Sequence, residues 1–200
     1  MKSTASIIGL AGTNGSGKDT VGQLLQKHCD YFFVSVTDML RDELRRRDQP
    51  VDRKHMRGLS SEWREKYGMS VLVDRALALF KAQKNRYQGV VMSSLRNPGE
   101  ADRIHEIGGI MLWIDANPHL RYMRVQANAA TRNRSGEDDK TYQQFLKEEK
   151  AEMNRTVDSS AVSLDMSAVK ARSDKIVMND YRNPEDLWQA VRTALNLDDE

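Results

Sequence analysis

A single cysteine, Cys29, stands among the 200 residues. One thiol excludes an intramolecular disulfide framework and a cysteine-ligated zinc cluster. The four histidines, His28, His55, His105 and His119, show no metal-ligand spacing and read as structural or exposed. No apolar run approaches the roughly 20 residues of a membrane span. The apolar stretch at 7–11 is too short for the core of a signal peptide, so the expectation is a cytoplasmic protein with no membrane partner. Charge of one sign is scarce as well. The formal net charge is only +2, and the basic residues are interleaved with acids and form no aromatic-studded stripe, which argues against a nucleic-acid partner. Internal repeats, linkers and low-complexity segments are absent.

What is present is an ordinary globular composition, 39% hydrophobic and 30% charged, in a chain long enough for one domain with a proper core. Residues 7–11 form a short apolar run followed by glycines, the pattern of a strand buried on both faces of a parallel sheet. Similar runs recur at 31–36, 90–92, 110–114 and 176–178. Between them Met69, Leu72, Val73, Ala76, Leu77 and Phe80 repeat with the spacing of one helix face. Asn-Pro occurs at 97–98, 117–118 and 183–184, each time between a predicted strand and a helical pattern. Asparagine is a good N-cap and proline fits the first helical position; Glu100, Glu185 and Asp186 then suit the helix dipole. Strand, turn and capped helix in repetition predict a doubly wound α/β domain. Two regions break the rhythm: 37–86, with three helical stretches and no strand, and 128–140, polar and poor in large apolar groups. Insertions of these kinds suit an acceptor site and a lid. Trp63, Trp113 and Trp188 fall on apolar faces or strands and read as core.

The chemistry starts at Gly12-Thr13-Asn14-Gly15-Ser16-Gly17-Lys18-Asp19-Thr20. It follows the first strand and opens a helix, the context a P-loop requires. Glycines let the backbone curl so that successive N–H groups face a phosphate-sized hollow backed by a helix amino terminus. Lys18 adds a point charge for the β- and γ-phosphates. A Ser or Thr that holds Mg²⁺ usually follows the lysine directly; here Asp19 intervenes and Thr20 comes second. Asp19 reads either as a helix N-terminal charge or as a group near the metal. ATP and Mg²⁺ are the expected cofactors.

With these residues the chain resembles the nucleoside monophosphate kinase superfamily, and within it the dephospho-CoA kinases and related archaeal kinase-like proteins. Lys18-Asp19-Thr20 is similar to adenylate-kinase-type enzymes, which place the hydroxyl residue two positions after the lysine. Residues 35–41, with Thr37 and Arg41, resemble the start of the acceptor-binding helix. Arg96 sits where the family keeps an acceptor-clamping arginine. Arg121 and Arg124, then Arg132 and Arg134, resemble lid arginines, and residues 173–179 look like the last strand, where Asn179 passes the nucleotide base. The resemblance implies a three-layer P-loop NTPase fold with a five-stranded parallel sheet in the order 2-3-1-4-5. It also implies a core of 1–36, 87–127 and 156–200, an acceptor-binding region at 37–86 and a lid at 128–155. One departure stands out. Where adenylate-kinase-type enzymes carry an Asp at the end of the third strand, this chain reads Ser93-Ser94, which leaves Asp19, Asp38 or Asp115 to take its place.

Phosphoryl transfer rests on alignment and charge stabilisation, and the planar fork of arginine serves both. Each arginine also has a plainer reading. Arg121 and Arg124 lie on one predicted helix face and could be solvated. Arg132 and Arg134 have Glu137, Asp138 and Asp139 beside them for intraloop pairing. Arg41 opens a charge run that extends to Asp48. Asp38 is either a general base on an acceptor hydroxyl or a helix N-cap. The leading reading is transfer of the γ-phosphoryl of Mg-ATP to a small nucleotide acceptor, a nucleoside or deoxynucleoside monophosphate, by a monomer or small homo-oligomer. The alternatives are a dephospho-CoA kinase and a nucleotide-binding regulatory ATPase with no small-molecule acceptor.

Overall fold

Turn residues and apolar runs alternate along the chain, and so do the elements of the computed structural model, which describes residues 6–83, 86–127, 140–153 and 164–197. The strands are β1 (Ile7–Gly12), β2 (Tyr31–Ser35), β3 (Gly89–Ser93), β4 (Ile110–Asp115) and β5 (Lys175–Met178). The helices are α1 (Lys18–Cys29), α2 (Val36–Arg46), α3 (Arg53–Tyr67), α4 (Val71–Lys81), α5 (Pro98–Glu106), α6 (Pro118–Ala127), α7 (Tyr142–Met153), α8 (Met166–Ala171) and α9 (Pro184–Leu195). All strand pairs are parallel, and the sheet order is β2-β3-β1-β4-β5, as expected. Three helices, α2, α3 and α4, occupy the long stretch between β2 and β3.

Alternate residues of each strand enter opposite cores, because side chains reverse direction at every residue. Ile8 and Leu10, Val91, Leu112 and Ile114, and Val177 meet Val21 and Leu25 of α1 and Leu187, Trp188 and Val191 of α9. Val90 and Met92, Met111 and Trp113 turn the other way and meet Leu40, Leu59, Trp63, Leu72, Ile104 and Val169. The result is a sheet between two helical layers, and all three tryptophans are buried. Each large apolar side chain moved out of water contributes about 1.5–3 kcal/mol. Two details differ from the sequence expectation. Val36 begins α2 and does not extend β2, because Ser35 caps the helix by accepting from the Asp38 amide. At the sheet edge β5 buries only Val177, while Ile176 and Met178 are exposed.

Parallel strands end at one edge, where ligands of open α/β sheets bind. The Asn-Pro pairs set the helices that leave that edge. Asn97 caps α5 in a capping box with Glu100, Asn117 accepts from the His119 amide, and Asn183 accepts from the Asp186 amide at 2.8 Å. No helix among the described residues is long and apolar enough to cross a membrane.

Asn183→Ala is expected to lower unfolding free energy by about 1 kcal/mol through loss of the α9 cap, and Asn183→Gly by about a few tenths; urea denaturation of the three proteins measures both.

Candidate functional site

The loop between β1 and α1 is held from three directions. Gly15 and Gly17 have φ of +78° and +94°, and neither position has room for a side chain. A Cβ on Gly15 would lie 2.5 Å from the Arg121 carbonyl oxygen, and one on Gly17 would lie 2.3 Å from Asn179 Nδ2. Asn179 is buried, and Nδ2 donates to the Ser16 carbonyl at 2.8 Å. Its backbone amide donates to Asp115 O at 2.7 Å. Arg124 closes this clamp, donating to the Asn179 carbonyl at 2.9 Å and the Tyr181 carbonyl at 2.7 Å. Behind the loop the Asp115 carboxylate accepts from Trp113 Nε1, the Ala116 amide and Lys170 Nζ. Burial pushes this carboxyl up, but those bonds outweigh it and hold the pKa below the usual range.

Helix α1 begins with amides that have no intrahelical acceptor, at the positive end of its dipole. Gly17 occupies the cap position and has no side chain with which to satisfy them. Lys18 is buried, with Nζ 3.2 Å from the Thr13 carbonyl. A backbone cradle with a lysine beside it fits a polyphosphate. Ser16 lies behind the cradle: it is fully buried, its Oγ has no hydrogen-bond partner among the described residues, and it does not line the cleft. Asp19 and Thr20 do line it. Asp19 Oδ1 accepts from Ser93 Oγ at 2.7 Å. The serine at the end of β3 thus holds the Asp19 carboxylate of α1.

Across a cavity of about 130 Å³ from Asn14, Gly15, Gly17, Lys18, Asp19 and Thr20 lie Thr37 and Arg41 of α2, Arg53, Arg57, Ser60 and Arg64 of α3, Arg96 after β3, and Glu152 of α7. Of the residues expected at the site, the structure brings together the loop residues with Thr37, Arg41 and Arg96. It places others elsewhere. Arg121 is neither solvated nor in the cavity: Nε donates to the Ala116 carbonyl at 2.8 Å, and both terminal nitrogens pair with Glu149, tying α6 to α7. Arg124 and Asn179 are occupied in the loop clamp and do not line the cavity. Asp38 is exposed outside it, paired with Arg41 at 2.8 Å; Ser35, and not Asp38, is the cap. Arg132 and Arg134 lie outside the described residues.

Arg53, Arg57, Arg64, Glu100 and Glu152 were not anticipated. Positions 53, 57, 60 and 64 share one face at helical spacing, and that stripe was the available signal. Arg64 donates to Glu100 Oε1 at 2.6 Å, with both side chains essentially buried. Glu100 Oε2 meanwhile accepts from the Arg96 and Asn97 amides at 2.7 and 3.1 Å. Glu152 accepts from Arg57 at 2.9 Å and Arg96 at 3.1 Å, and the adjacent Glu148 accepts from Arg53 at 2.8 Å. Among the described residues no group of three or more His, Cys, Asp or Glu could form a metal cluster. A single carboxylate and a hydroxyl, Asp19 and Thr20, still match the way Mg²⁺ is held alongside phosphate oxygens.

The AAA domain family profile matches residues 8–145 of this chain. A UPF0200 protein of Pyrococcus abyssi is 28% identical over 178 residues, 87% of either chain. Among solved structures, the shikimate kinase of Acinetobacter baumannii in complex with shikimate superposes with a TM-score of 0.55 at 16% identity, covering 98% of this chain and 97% of that one. The protein TT1252 of Thermus thermophilus gives 0.57 at 21% identity, with 99% and 100% covered. At such identities the likeness is one of fold.

Burial pushes the Glu152 carboxyl up, yet the Arg96, Arg57 and Arg53 guanidiniums together hold it below its ordinary 4.5. A carboxyl with a lowered folded pKa gives stability that is full above the unfolded pKa and lost as pH falls through the folded one. Glu152→Gln is therefore expected to be less stable than wild type at neutral pH, by on the order of 2 kcal/mol. The gap should narrow below about pH 4.3, as urea unfolding across that range reads directly.

Proposed function

We propose that this chain, which belongs to the AAA domain family and has the fold of P-loop kinases, is an ATP-dependent phosphotransferase that moves the γ-phosphoryl to a small phosphate-bearing nucleotide, a nucleoside or deoxynucleoside monophosphate. One observation carries this reading: the phosphate cradle and a set of arginines face each other across a single cavity. The loop amides and Lys18 would take the β- and γ-phosphates of ATP. Thr20 and Asp19 would hold Mg²⁺, which when bound neutralises charge on the phosphate oxygens. Thr37, Arg41 and Arg96 would seat the acceptor, with 37–86 as the acceptor-binding region and 1–36, 87–127 and 156–200 as the core; the expected lid at 128–155 lies in part outside the described residues. Most of the catalysis would come from placing fixed positive charge where negative charge moves.

The carboxylates support a phosphate acceptor over an alcohol. Transfer to a hydroxyl, as in a dephospho-CoA kinase, needs a base within hydrogen-bond reach of that hydroxyl. Asp38 is paired with Arg41 outside the cavity, and among the described residues the two carboxylates that line it are engaged, Asp19 with Ser93 and Glu152 with arginines. A phosphate acceptor is already anionic and needs no such base.

The test is ADP release from Mg-ATP against nucleoside monophosphates, deoxynucleoside monophosphates, dephospho-CoA and shikimate, with mass spectrometry of the products. One monophosphate should raise turnover well above the acceptor-free rate, and Lys18→Ala should lower kcat by about 10²–10³. Stimulation by dephospho-CoA or shikimate alone would replace the acceptor. Uniformly slow, acceptor-independent hydrolysis would contradict the reading and make the chain a regulatory ATPase.

A further inference from the structure

Glu152 lies among arginines that line the cavity. It comes from the last turn of α7, its side chain is 16% exposed, and its two oxygens are divided between two arginines, Oε1 with Arg57 and Oε2 with Arg96. Glu148, one turn earlier on α7, holds Arg53 in the same way. All three arginines and Glu152 line the cavity shared with Lys18, Asp19 and Thr20. The Glu152 carboxylate balances the charge of Arg57 and Arg96, and an anion entering the cavity would need the same N–H donors.

We propose that Arg53, Arg57 and Arg96 form the anion seat for the acceptor, and that Glu152 is a resident competitor that reserves the seat for dianionic phosphoryl groups and shuts out monocarboxylates. The proposal rests on the phosphotransferase reading and names which chemical feature of the acceptor is selected. Exchanging one carboxylate for another gains no charge, while the incoming molecule gives up translational and rotational freedom. A phosphate monoester near neutral pH carries about −1.5 to −2 charge and three acceptor oxygens, enough to engage several guanidinium forks at once. It can therefore displace Glu152 where a monocarboxylate cannot. Displacement also releases the contacts of α7 to Arg57 and Arg96, so the acceptor's arrival and the position of α7 are coupled.

The probes are inorganic phosphate and acetate, titrated by calorimetry into the full chain with saturating ADP to fill the P-loop, and again without nucleotide. Wild type, Glu152→Gln, Arg57→Gln and the double variant are compared. Glu152→Gln is expected to bind phosphate about tenfold tighter or more and to acquire measurable acetate binding, with both gains lost in the double variant. A Glu152→Gln affinity for phosphate within about twofold of wild type, or a gain that survives Arg57→Gln, overturns the proposal. Should Glu152→Gln fail to fold, amide exchange across 142–153 in wild type decides. Exchange that rises with phosphate but not with chloride of equal ionic strength supports displacement, and unchanged exchange overturns it. Failure of ADP to bind would count against the phosphotransferase reading alone, since the nucleotide-free titration still reports on the arginine seat.

Discussion

Six cations, Lys18, Arg41, Arg53, Arg57, Arg64 and Arg96, line one small cleft at the carboxyl edge of the sheet. Like charges so close repel unless anions lie among them, and the low dielectric of a partly buried site strengthens both effects. The chain meets this constraint with its own carboxylates: Glu100 for Arg64, Glu152 for Arg57 and Arg96, Glu148 for Arg53 and Asp38 for Arg41. The surrounding architecture follows from that need. Helix α7 is drawn across the cleft because its acids, at helical spacing, meet arginines of α3 and the turn after β3, while Glu149 meets Arg121 of α6.

Glu100 connects this charge balance to the fold. Its buried carboxylate closes the capping box of α5, holds the backbone of Arg96 and Asn97, and fixes Arg64 of α3. The residue that starts a helix thereby also sets two arginines of the cleft. On the opposite side Asn179 does the same for the glycine loop, donating to the Ser16 carbonyl, while Arg124 and the Asp115 carbonyl hold Asn179 in turn. On both sides the side chains are held by buried or backbone partners.

Local patterns made much of this legible in the amino-acid sequence. The apolar runs, the Asn-Pro starts and the glycine loop each span a few residues, and each acts through its own neighbours. What escaped depends on partners far along the chain. Arg53, Arg57 and Arg64 resemble the solvated face of a charged helix until Glu148, Glu152 and Glu100 are brought against them. Asn179, Arg121 and Arg124 sit in the right order to touch a ligand, yet backbone carbonyls and Glu149 take their donors. The contact between Ser93 and Asp19 is of the same long-range kind. Asp19 reaches Ser93 only because α1 runs back beside β3.

The central claim is that the phosphate cradle and the arginine side form one continuous site for donor and acceptor. The affinity of a dinucleoside polyphosphate, long enough to span both halves, compared with that of ATP tests it most directly. A continuous site should bind the longer compound at least about tenfold tighter than ATP, with the advantage removed when Arg41 is replaced by alanine. Equal affinity for the two compounds would contradict it, leaving the arginine side unconnected to nucleotide chemistry.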